Sequence, residues 1–205
     1  MRTILLTFCL FMGTILSAQN NVLIEIENAN AAYKVITGDF VRTQTNVAKG
    51  TSIKADGTLY IVGEDQMTQH YKAPSTDLLI INGNDFYMIR GKKTNKFNTE
   101  KNKTMRSLRN TLLYCVHGKP MVLATENGAE ITAEKKENEY EVVLISTKKT
   151  ARGYAKIVLT YDLKSKLLTK MRMDEYNGNS TLYEMNNLKT NGNIDAKVFD
   201  IPEKK

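Results

Sequence analysis

From Asp39 onward, short runs of β-branched, aromatic and aliphatic residues are separated by Gly and Asn turn signals, at the roughly ten-residue spacing of an antiparallel meander. The clearest unit is Leu78-Leu79-Ile80-Ile81, then Asn82-Gly83, then Phe86-Tyr87-Met88-Ile89. Asn-Gly between two such runs is a strong hairpin signal, because both residues tolerate positive φ. Earlier runs, Thr58 to Val62 and Met67 to Lys72, are split by Gly63-Glu64-Asp65-Gln66, and Pro74, which cannot donate to a ladder, closes the second. Later runs cover 130–135, 139–146, 154–162, 167–176 and 181–188, with turn chemistry between them. No linker is long enough to divide domains, so residues 19–205 read as a single domain.

Alternation within the runs shows which face is apolar. In Thr169 to Asp174, Met171 and Met173 share one side while Lys170, Arg172 and Asp174 share the other. One face of the sheet is therefore wet, and the other must be covered by helices, by curvature or by a ligand. Two helices are predicted. Val22 to Val35 places Ile26, Ala29, Tyr33 and Ile36 at helical spacing. Thr104 to Val116 aligns Met105, Leu108, Leu112, Cys115 and Val116 in one stripe, sets Arg106, Arg109 and Asn110 largely opposite, and ends at Gly118 and Pro120. Laid against a sheet, that stripe serves as a permanent plug or as a lid.

Residues 1–18 carry one charge, Arg2, then an apolar run from Ile4 to Met12, and finish at Leu16-Ser17-Ala18. This is the pattern of a signal peptide cleaved after Ala18, so the mature chain is expected to be exported and soluble. Cys9 lies inside the apolar run, where lipid attachment is not expected. Only Cys115 remains after cleavage, which rules out an intramolecular disulfide and leaves stability to a packed core. A buried, inert thiol is the expected state of Cys115. The net charge is +7, but the charges are scattered through strands and turns rather than gathered in a stripe. Nucleic-acid binding is not expected.

Catalytic chemistry has little to work with. The chain has no Gly-x-Ser-x-Gly elbow, no His-Glu-x-x-His, no Cys-x-x-Cys and no phosphate loop. His70 falls in a strand, and His117 at a helix end, where its cation suits the last carbonyls. Asp174 and Glu175 sit beside turns as solvated charges. No catalytic residue, metal or cofactor is expected. Nine Met stand beside ten Tyr with no Trp, and flexible thioethers such as Met105, Met121, Met171, Met173 and Met185 suit an apolar core or a surface that adapts to apolar shapes.

One succession ties these features together: Phe40-Val41-Arg42-Thr43-Gln44, Gly57 to Ile61, Gln69-His70-Tyr71-Lys72-Ala73-Pro74, Leu79 to Gly83, Phe86 to Ile89, and a close on Asp195 to Pro202. It resembles the outer-membrane lipoprotein carrier family (LolA) over nearly the whole mature chain. The resemblance implies a mainly β fold, an unclosed antiparallel β barrel around an apolar cavity, with a few covering helices forming a lid. It implies a periplasmic carrier, not an enzyme, that shuttles acylated lipoproteins or lipid from an inner-membrane lipoprotein-releasing transporter to an outer-membrane receptor, and works as a monomer. A lipid- or lipoprotein-sensing regulatory module of similar fold is the second reading. The cavity is expected to be lined by Leu59, Ile61, Met67, Tyr71, Leu79, Ile81, Met171 and Met173, with Met105, Leu108 and Leu112 as the lid. Family members usually carry a basic residue and a Pro ahead of the Tyr-bearing strand, and that Arg helps latch the lid; the matching region here reads Gly63-Glu64-Asp65.

Overall fold

The computed structural model describes residues 21–148 and 153–201, so the predicted signal peptide, 1–18, lies outside the described residues. Helix α1 (21–31) leads into strands β1 (Val35–Asn46), β2 (Thr51–Val62), β3 (Gln66–Tyr71), β4 (Leu78–Asn82), β5 (Asp85–Arg90) and β6 (Lys93–Asn98). Helices α2 (Lys103–Val116) and α3 (Pro120–Asn127) follow, then β7 (Ala129–Lys135), β8 (Glu139–Ser146), β9 (Tyr154–Asp162), β10 (Leu168–Glu175), β11 (Ser180–Thr190) and a 3-10 turn, Ala196–Phe199. All the strands form one antiparallel sheet in the order β6-β5-β4-β3-β2-β1-β11-β10-β9-β8-β7. The first and last strands pair with each other at its centre, while β6 and β7 remain as unpaired edges. The result is the expected unclosed barrel, with the helices in the middle of the sequence packed across its concave side.

The register explains the burial. In β2, Gly57, Leu59 and Ile61 are buried while Thr58, Tyr60 and Val62 are only partly so. In β8, Tyr140, Val142 and Leu144 alternate with partly exposed neighbours in the same way. Each such fully buried aliphatic side chain contributes about 1.5–3 kcal/mol relative to exposure. Curvature demands a close approach at Gly57: a Cβ there would lie 2.2 Å from the His70 carbonyl oxygen and 2.8 Å from the Phe40 ring. Only a residue without a side chain fits.

Several boundaries differ from expectation. Helix α1 ends at residue 31, and Ile36, read as its last apolar position, is a buried residue of β1. The hairpin turn falls one residue later than predicted. Asn82 still pairs with Asp85 in the ladder, and its side-chain oxygen accepts from Gln66 Nε2 at 3.0 Å, so Gly83 and Asn84 form the loop. Only Gly83 has positive φ there, 57°. Strand β6, Lys-Thr-Asn-Lys-Phe-Asn, was not anticipated because it is polar; it is an edge strand and packs only Phe97 against the core. Pro120 does more than stop α2, since it occupies the first turn of α3, where a missing N–H costs nothing.

A candidate ligand-binding face under helix α2

Helix α2 begins at Asn102, whose Oδ1 accepts from the Met105 amide at 3.0 Å. Its C-terminal half is packed into the core: Leu112 and Cys115 are fully buried and Val116 nearly so. The Tyr161 hydroxyl donates to the Cys115 carbonyl at 2.8 Å, fastening this half to β9. Burial pushes the Cys115 thiol far above its ordinary range, as expected of an inert cysteine. The N-terminal half is looser. Met105 and Leu108 are only partly buried and line an open space of about 400 Å³ with Lys103, Thr104, Gly153, Tyr154 and Glu175. An adjoining space of about 220 Å³ runs from Ser107 and Tyr154 toward Ala129, Leu144 and Ile157.

The expected cavity residues all lie in the buried core: Leu59, Ile61, Met67, Tyr71, Leu79, Ile81, Met171 and Met173. Pairing places Ile61, Met67 and Ile81 in one row across β2, β3 and β4, and Leu59, Gln69 and Leu79 in the next. Met171 and Met173 face the same cluster from β10, beyond the central β1–β11 pair. Leu112, Cys115 and Val116 of α2 belong to the same cluster. Between Leu59, Ile61 and Val116 only about 10 Å³ of space is left. An open apolar-bordered volume lies instead toward the other end of β10, under Met105 and Leu108. Of the three lid residues, Met105 and Leu108 border that space and Leu112 does not.

Sequence reading missed residues whose inward position depends on register across the chain. Phe40, on β1, meets Tyr71 edge-on with ring centroids 5.0 Å apart and Tyr183 at 6.1 Å. Tyr183 is not legible as inward-facing because β11 carries no clean alternation, and Tyr154 because it opens a strand, whereas Met185, expected in an apolar core or surface, is buried. Burial raises the pKa of the Tyr71 phenol, whose hydroxyl donates to Gln69 Oε1 at 3.1 Å. Arg42 projects onto the same face, with its guanidinium 4.7 Å from the Tyr71 ring centroid.

The polar face of α2 is not free in solvent. Arg109 Nε donates to the Gly83 carbonyl at 2.7 Å, and Arg106 Nε to the Thr99 carbonyl at 2.9 Å, so the helix is tied to the β4–β5 turn and to the end of β6. Asn110 is buried, with its amide donating to Glu126 of α3 at 2.8 Å. Where the resemblance implies a basic residue, Glu64 forms a 3.0 Å ion pair with Lys119, between α2 and α3. The β2–β3 turn therefore reaches the junction of α2 and α3 through this ion pair. Glu64 is largely exposed, so the pair contributes little stability.

Among the described residues no three His, Cys, Asp or Glu are grouped to hold a metal, and no helix is long and apolar enough to cross a membrane. Solved structures are similar to the chain. MucB is 12% identical over 92% of this chain and 64% of its own, with a TM-score of 0.51. A DUF1329 family protein from Desulfovibrio piger is 10% identical over 91% and 97%, with a TM-score of 0.50. A putative outer membrane lipoprotein-sorting protein domain from Vibrio parahaemolyticus is 13% identical over 90% and 97%, with a TM-score of 0.49. No curated protein matches the sequence. The profile of the outer membrane lipoprotein carrier protein LolA matches residues 31–202, and with the unclosed eleven-stranded sheet and its helical cover, the chain belongs to the LolA family.

Proposed function

We propose that this protein is a periplasmic carrier that shields the acyl chains of lipoproteins, or of a lipid of like chemistry, between the concave face of its sheet and helix α2. It would receive cargo from an inner-membrane releasing transporter and deliver it to an outer-membrane receptor. The observation that carries this reading is the 400 Å³ space under the loosely packed half of α2, bordered by Met105, Leu108 and Tyr154 and continuous in register with buried apolar strands. Shielding hydrocarbon from water is worth about 0.8 kcal/mol per CH₂, which gives an acyl chain a strong reason to enter and displace a half-packed helix. The family is one of lipoprotein carriers by its description, and the extended apolar face is the part of the molecule that fits such a role.

Native mass spectrometry of the mature protein, purified from a Gram-negative periplasm, should show co-purifying lipid or acylated protein. In titrations with a fluorescent acyl probe, Leu108→Glu should weaken binding at least tenfold, because a carboxylate facing hydrocarbon must be desolvated or protonated. Arg172→Glu, on the wet side of β10, should leave binding within about twofold of the parent, since that carboxylate stays solvated. Equal binding by the two folded variants would refute the site. Binding without transfer to acceptor vesicles would refute the carrier role and favour the sensing module.

A further inference from the structure

One concave row of the sheet carries a charge. Pairing places Val142 of β8, Leu159 of β9, Met171 of β10 and Tyr183 of β11 side by side, and the next residue in the row is Arg42 of β1. The four that precede it are buried. The Arg42 guanidinium lies over the Tyr71 ring, and its Nε is shut off from solvent with no hydrogen-bond partner. Ion pairs among the described residues engage Lys72, Lys96, Lys119, Lys136, Lys166 and Arg172; none engages Arg42.

A buried N–H of a charged group without an acceptor is costly, and the Nε of the partly buried Arg42 is in that state. The position along the sheet adds a second observation. Gln44 and Thr181 flank Arg42 on the hairpin side and lead in register to Met173, and Glu175 and Tyr154 follow along the same strands. Arg42 does not itself border the space under Met105 and Leu108, but its row leads along β10 from Met171 through Met173 to Glu175, which does.

We infer that Arg42 is a head-group subsite: it recognises the anionic head, carboxylate or phosphate, of an acylated ligand whose chain runs along the apolar row. This rests on the acyl-binding reading above and adds to it the charge of the cargo. A planar guanidinium offers a fork of N–H donors to either anion, and stacking on Tyr71 holds the plane in place. A neutral acyl ester offers its carbonyl oxygen as an acceptor but neither the charge nor the paired oxygens that match the fork.

The test compares palmitate, a palmitoyl lysophosphatidylglycerol and the neutral hexadecanol by calorimetric titration of the folded mature protein. The parent should prefer both anionic probes, and Arg42→Gln should weaken their binding by about tenfold or more while leaving hexadecanol within about twofold. Arg42→Lys should fall between, retaining charge without the fork. Ala55→Asp should reproduce the loss with Arg42 intact, because Ala55 is paired directly with Arg42 and its replacement supplies an internal carboxylate. This variant serves if Arg42→Gln does not fold. A larger loss for the lysophospholipid assigns a phosphate head, and a larger loss for palmitate a carboxylate. Equal affinity of the parent for all three probes, or a parallel loss of hexadecanol in Arg42→Gln, overturns the subsite while the acyl-binding reading stands. If the parent binds none of the three, both fall.

Discussion

His117 shows how burial decides what a residue does. At the C-terminus of α2 a cationic imidazole would suit the last carbonyls, and the sequence points that way. The ring is instead 7% exposed, its Nε2 has no partner, and burial, aided by the nearby Lys119 charge, lowers its pKa while Glu64 partly opposes the shift. The folded protein then binds fewer protons than the unfolded chain below the ordinary imidazole pKa of about 6.5. Stability should be full above that value and decline as the pH falls below it. Melting curves from pH 7.5 down to 5.5 should show this decline, smaller in His117→Gln, and an NMR titration should place the His117 midpoint below about 6.5. A midpoint at or above that value would contradict the assignment. Cys115, by contrast, was legible from its place on an apolar stripe, and it is fully buried.

At the scale of the element, α2 is two half-helices with different duties. The stripe from Met105 to Val116 is visible in the sequence because helical periodicity is a local property. Its division is not, since it depends on where the helix meets a curved sheet. Asn110 to Leu113, Cys115 and Val116 are buried, while Lys103, Thr104, Met105, Ser107 and Leu108 border open space, in a segment tied down by the Arg106 and Arg109 side chains. Hydrogen exchange should be faster over 105–109 than over 110–116, and an acyl probe should alter only the first segment. Arg109→Ala should cost about 1–3 kcal/mol of stability and raise exchange in that segment further. Uniform protection along α2, unchanged by probe or mutation, would make the helix a fixed plug.

At the scale of the whole molecule, the two halves of the chain are joined through β1 and β11, strands far apart in sequence that pair over most of their length. Phe40 lies at this seam. It contacts Tyr71 from the first half and Tyr183 from the second, and it is 1% exposed. Phe40→Ala should therefore destabilise the protein by about 3–5 kcal/mol, read as a lower urea midpoint. A loss below about 1 kcal/mol would mean that the halves are held together elsewhere.

The sequence alone determined the meander, the apolar sides of Met171 and Met173, the stripe of α2 and the succession of residues that marks the family. Each depends on neighbours within a few positions, where alternation, helical period and turn chemistry act. It did not determine β6, whose polar residues need only an edge to pair with, or the turn at Gly83, which Asn82 displaced by one residue through its bonds to β3 and β5. Nor did it set Arg42 beside a buried apolar row or put the open space beneath Met105 rather than above Leu59. Those positions depend on the register of strands from opposite ends of the chain and on which half of α2 fills the concavity, and both are decided only when the whole sheet curves around the helix.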